Sequence, residues 1–161
     1  MLSVEDKQAK TTAFLEETVK DFKIFIDTCS LLNVAANDFW SRIVPILQRE
    51  GKKIIVPFRV YEEVKKFAEN PALCAKKDDS NLNQRAKAVL KNIAIMQKAN
   101  LVDVFGDSHD NFADNVFQTV FTKFRLKYNL MLITQDNNLA RDILAIRKSK
   151  SVQTKKRILV E

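Results

Sequence analysis

Four short apolar runs, each four or five residues long and each cut off by an acid or a turn residue, set the strongest limit on what this chain can fold into. They are Lys23-Ile-Phe-Ile-Asp27, Lys53-Ile-Ile-Val-Pro57, Leu101-Val-Asp-Val-Phe105 and Leu130-Met-Leu-Ile-Thr134. Runs of this kind, without polar alternation, read as strands buried on both faces. Between them the apolar spacing is helical. Ser3 to about Lys20 forms one amphipathic stretch, with Ser3 as a cap and Asp6 three residues on. Asn37 to Gln48 forms another, capped by Asn37, bent by Pro45 and stopped at Gly51. Helical patterns follow over about Phe58 to Glu69, Leu82 to Lys98, Asn111 to Tyr128 and Asn137 to Arg147, while Asn70 to Asn81 reads as a loop. Strands alternating with helices predict an α/β fold: a three-layer α/β/α sandwich around a central parallel sheet, plus an N-terminal accessory helix. The whole of 1–161 reads as one domain, with a helical extension over 1–22, a core over 23–147, and a basic tail over 148–161 that offers an edge strand through Ile158, Leu159 and Val160.

An open parallel sheet gathers ligands at the carboxyl ends of its strands. The residues just past each run are therefore the ones to examine. Asp27 ends the first run, and Glu62 and Glu63 sit in the helix after the second. Asp110 and Asp114 open the helix before the fourth, and Thr134-Gln135-Asp136 closes the fourth. Each acid has an ordinary alternative use: Asp27, Asp110 and Asp136 as helix caps, Glu62 and Glu63 as a solvated helix face. Their convergence on one rim points further. Packed carboxylates repel one another unless a cation joins them, and hard oxygen donors suit Mg²⁺ or Mn²⁺. Such a cation activates water and neutralises charge developing on a phosphodiester.

Charge and composition narrow the partner. Lysine and arginine number 27 against 20 acids, a net +7, which favours an anionic partner such as nucleic acid. Only two glycines occur, Gly51 and Gly106, which excludes a Walker loop and a dinucleotide-binding glycine fingerprint. Cys29 and Cys74 make no metal or disulfide framework. With no signal-peptide pattern and no long apolar run, the expected compartment is the cytoplasm, with no membrane partner. The lone His109 reads as a bystander near the third acid, and Phe39 with Trp40 as core rather than a base-stacking pair. Arg59, Lys52, Lys53, Lys65 and Lys66 flank the second acid as possible phosphate contacts, Arg59 foremost.

Several of these segments, in order, resemble the motifs of PIN (PilT N-terminus) domains, a family of metal-dependent ribonucleases. They are Phe25-Ile-Asp27-Thr28, Ile54-Ile-Val-Pro57 with Val60-Tyr-Glu62-Glu63-Val64, Phe112-Ala-Asp114-Asn-Val-Phe117, and Leu132-Ile-Thr134-Gln-Asp136 with Leu139-Ala140. The resemblance covers about residues 23–147. It implies Mg²⁺- or Mn²⁺-dependent endoribonuclease activity that leaves 5′-phosphate and 3′-hydroxyl ends. It also implies Asp27, Glu63, Asp114 and Asp136 as the catalytic, metal-binding acids, with Asp110 an additional candidate one helical turn from Asp114. Glu63 is preferred to Glu62 because an apolar residue follows it. Thr134 would support the site by hydrogen bonding, and Arg59 would contact substrate. The implied partners are RNA, an antitoxin protein if the chain is a toxin rather than an RNA-processing enzyme, and a second copy in a homodimer. The competing reading is a PIN-like module that binds RNA or protein without cutting. A haloacid-dehalogenase phosphatase would need a second Asp two residues after Asp27, where Cys29 stands. The related structure-specific DNA nucleases need a DNA-gripping insertion and more acids than this chain supplies.

Overall fold

The computed structural model describes residues 3–77, 81–106, 113–147 and 158–160, with only the backbone described for 113–115, 147 and 158–160. The elements run α1 (Val4–Asp21), β1 (Lys23–Ile26), α2 (Thr28–Leu31), α3 (Ala36–Glu50), β2 (Ile54–Pro57), α4 (Phe58–Glu69), α5 (Pro71–Ala75), α6 (Leu82–Lys98), β3 (Val102–Phe105), α7 (Ala113–Phe124), β4 (Leu130–Ile133), α8 (Asn137–Arg147) and β5 (Ile158–Val160). All four apolar runs are strands, and the edge strand expected in the tail is present.

The local chemistry explains most of these boundaries. Ser3 and Asp6 form a reciprocal capping box on α1, Ser3 Oγ accepting from the Asp6 N–H at 3.1 Å and Asp6 accepting from the Ser3 N–H at 3.3 Å. Gly51 ends α3 in the left-handed conformation at φ 64°, which costs a residue without Cβ nothing. Three expectations need correcting. Helix α3 begins one residue before Asn37, after Ala35, with no side-chain cap. The Asn70–Asn81 segment is not all loop: Asn70 accepts from the Leu73 N–H at 3.1 Å and Pro71 occupies the first turn, so α5 forms. A single turn, α2, follows β1 directly and carries no amphipathic period by which to detect it.

The five strands are parallel in the order β3-β2-β1-β4-β5. The chain winds outward from β1 through β2 to β3, then returns across β1 to lay down β4 and β5. Its direction therefore reverses between β1 and β4, the kind of switch point at which an open α/β sheet leaves a crevice. Phe25 is in register with Ile55 and Leu132 and faces α7, where its ring meets Phe121 edge-on at 5.2 Å. On the opposite face Ile24 and Met131 look onto Leu15 of α1 and Ile43 of α3. Helices thus flank both faces. The core between them includes Ile26, Leu47, Ile54, Val60, Phe117, Leu130, Leu132 and Ile143, all nearly inaccessible to solvent. Each such side chain contributes roughly 1.5–3 kcal/mol by burial. No helix among the described residues is long and apolar enough to cross a membrane.

Candidate active site

Asp27 is the residue immediately after β1, and it is 4% exposed. A buried carboxylate must be hydrogen-bonded, and both of its oxygens are. Oδ1 accepts from the Ser30 N–H at 2.9 Å, capping α2, and Oδ2 accepts from the Thr134 hydroxyl. The Asp27 N–H donates to the Ile133 carbonyl at 3.2 Å, which pins the ends of β1 and β4 side by side. Asp27 is therefore a helix cap and a rim carboxylate at once, so the two uses open to it are not exclusive.

Thr134 is 7% exposed and joins two acids. Its hydroxyl donates to Asp27 and accepts the Asp136 N–H at 3.0 Å. Asp136 Oδ1 in turn accepts the Asn138 and Leu139 N–H groups at 2.9 and 3.1 Å at the start of α8. The third acid comes from α4, where Glu63 Oε2 accepts from the Thr28 hydroxyl at 3.3 Å. Its neighbour Glu62 is turned to Arg59, in an ion pair of 3.1 Å.

Asp27, Glu63 and Asp136 line one small cleft of about 40 Å³. Thr28, Cys29, Val60, Phe117 and Leu139 complete its described wall. Of the two glutamates the cleft takes Glu63, and the described wall contains no lysine or arginine. Three carboxylates from three separate segments meeting without a basic partner create a negative depression suited to a cation. Among the described residues no group of three acid, histidine or cysteine side chains is arranged to hold an ion as it stands. The donor set is nonetheless chemically right for a hard divalent ion, because Glu63 and Asp136 are only half-buried and have carboxylate oxygens to offer.

The remaining candidates divide. Asp114 lies in the first turn of α7, three residues before Phe117 of the cleft wall. Asp110 and His109 fall outside the described residues. Arg59 is engaged by Glu62 and does not line the cleft. Phe39 and Trp40 pack edge-on at 5.4 Å on the far side of the sheet, against the core, as expected. Sequence reasoning assigned no role to Val60, Phe117 and Leu139, the apolar wall of the cleft. Each belongs to the apolar period of its helix, so only tertiary placement distinguishes a wall residue from an ordinary core residue.

Thr134→Val tests the junction directly. Valine keeps the shape but removes the hydroxyl, leaving Asp27 Oδ2 and the Asp136 N–H without that partner. The expected cost is about 1–3 kcal/mol, read as a lower urea midpoint at unchanged m-value.

Compared with protein-family models and with curated protein sequences, the chain matches none.

Proposed function

We propose that the chain is an Mg²⁺- or Mn²⁺-dependent endoribonuclease of the PIN type, with Asp27, Glu63 and Asp136 as its metal-binding acids and Asp114 as the fourth. The observation that carries this reading is the meeting of Asp27, Glu63 and Asp136 in one cleft at the β1/β4 switch point. These are three of the four acids that the resemblance singles out, and they come from segments up to 109 positions apart in the chain. The parallel sheet with helices on both faces is compatible with the three-layer architecture of that family. The net charge of +7 suits an RNA partner, and the acids form a local negative exception within it.

The protein's own contribution would be positional. Asp27 is held immobile by the Ser30 N–H and the Thr134 hydroxyl, so it presents one fixed carboxylate at the floor. Thr134 ties that floor to the loop bearing Asp136, and Thr28 orients Glu63 from the side. The apolar wall of Val60, Phe117 and Leu139 limits the water around the carboxylates. A divalent ion, when bound there, supplies water activation and charge neutralisation at the phosphodiester.

The decisive experiment incubates the purified protein with a mixed, end-labelled RNA pool, with Mn²⁺ or Mg²⁺ and then with excess EDTA. Cutting that requires the metal, stops on chelation and leaves 5′-phosphate ends is expected. Failure to cut with any metal, together with failure to bind Mn²⁺, would sink the reading in favour of a non-catalytic binding module.

A further inference from the structure

A second cavity, of about 220 Å³, opens on the same sheet face as Phe25, toward the opposite end of α7. Its floor is the sheet itself: Lys23 and Phe25 of β1, Ile55 of β2, Asp103 and Phe105 of β3. Its wall is Phe124 and Tyr128, whose rings lie 6.1 Å apart. Helices cover β1 here but leave β3 open, so Phe105 is 46% exposed and Asp103 is exposed beside it. A strand in a parallel sheet is ordinarily covered on both faces.

The charges around this cavity are ordered. Lys23 stands over the Tyr128 ring at 4.7 Å, Lys127 over the same ring at 5.4 Å, and Lys123 over the Phe124 ring at 5.3 Å. Three ammonium groups thus surround an aromatic wall, the combination of phosphate contact and stacking surface that single nucleotides require. Across the floor stands Asp103, in register with Ile55, itself in register with Phe25, so about 10 Å separates its backbone from β1. Among the described residues Asp103 has no hydrogen bond or ion pair. A carboxylate only accepts hydrogen bonds. Among the bases guanine meets it best, offering two adjacent N–H donors on one edge.

We propose that this cavity is a guanine nucleotide subsite. The base lies on Ile55 against Phe124 and Tyr128 with its N1–H and N2–H₂ edge on Asp103, and Lys23, Lys123 and Lys127 hold the attached phosphate. The subsite does not depend on the acid cleft cutting RNA. Phe117 at the cleft and Phe124 at this cavity are seven residues apart on one helix, about 10 Å along its axis. A guanine within a bound RNA strand could therefore reach this cavity while a neighbouring phosphate lies at the acids. A free guanine nucleotide has the same chemistry.

Titration calorimetry with GMP, AMP, CMP and UMP tests the assignment on the full chain, beside Asp103→Asn and a Lys123→Gln/Lys127→Gln double variant, all at exposed positions. Saturable binding of GMP is expected, tighter than the other three by about tenfold. Asp103→Asn should erase that preference, and the lysine variant should weaken all four nucleotides alike and flatten the salt dependence. Absence of saturable GMP binding, or an unchanged preference in Asp103→Asn, overturns the proposal. A guanine-containing trinucleotide that binds at least tenfold more tightly than GMP assigns the subsite to RNA, and equal affinities assign it to the free nucleotide. Asp27→Asn should bind GMP as the parent does, whatever becomes of its cleavage.

Discussion

Asp27→Asn is expected to lower metal-dependent RNA cleavage by at least about a hundredfold while leaving the protein folded. The substitution removes one negative charge from the cleft floor and one hard oxygen donor. Changes merely adjacent to metal ligands already cost roughly 10–100-fold in affinity or activity. The stability cost is smaller and separable. Asparagine keeps an oxygen for the Ser30 N–H, but its amide would face the Thr134 hydroxyl, which now donates to Asp27 and accepts from Asp136. That hydroxyl proton must find another acceptor, at about 1 kcal/mol. Thermal unfolding with and without Mn²⁺ separates the two effects. At a hundredfold excess over its dissociation constant, a bound ion adds about 2.7 kcal/mol to the parent, and Asp27→Asn should gain little of it. If Asp27 served only as the cap of α2, the variant would lose stability and still respond fully to metal.

The fold was legible in this chain where a segment carried its own signal. The β1 run is apolar on both faces and ends in an acid, and Ser3 with Asp6 spells out a capping box, so both were readable in isolation. The single turn α2 was not, because Thr-Cys-Ser-Leu is too short to show a period and is stabilised by its neighbour Asp27. Helix α5 carried a readable start in Asn70-Pro71, which the polar residues after it obscured. At the site, the acids were legible because topology places whatever follows a strand on one rim. Their fine arrangement was not. The Thr28–Glu63 contact joins residues 35 positions apart, and Thr134 bridges back to Asp27 across 107. The choice of Glu63 over Glu62 rested on the apolar residue that follows, and the structure turns Glu62 instead to Arg59, on its own helix. The open face over β3 had a faint trace in Asp103, a charge inside an apolar run, whose meaning depended on which face the helices leave bare.

Phe121→Ala should be the most damaging of the core substitutions, at about 3–5 kcal/mol, against a total stability that for a domain of this size is about 5–15 kcal/mol. Phe121 is fully buried, and its ring packs edge-on against Phe25 at the centre of the sheet. Its loss leaves a cavity between α7 and β1 that neither rigid element can easily close. The consequence for function follows from what α7 carries. Phe117, one turn before Phe121, lines the acid cleft, and Asp114 stands three residues before Phe117. If α7 delivers the fourth acid, loosening its anchor disturbs cleavage beyond what the unfolded fraction explains. Urea unfolding followed by intrinsic fluorescence gives that fraction, and cleavage measured well below the midpoint gives activity per folded molecule. Phe121→Leu keeps most of the volume and should fall between parent and alanine on both scales. Cleavage per folded molecule that stays at the parent level in Phe121→Ala would mean that α7 brings only wall to the cleft, and would leave Asp27, Glu63 and Asp136 as the acids to account for the chemistry.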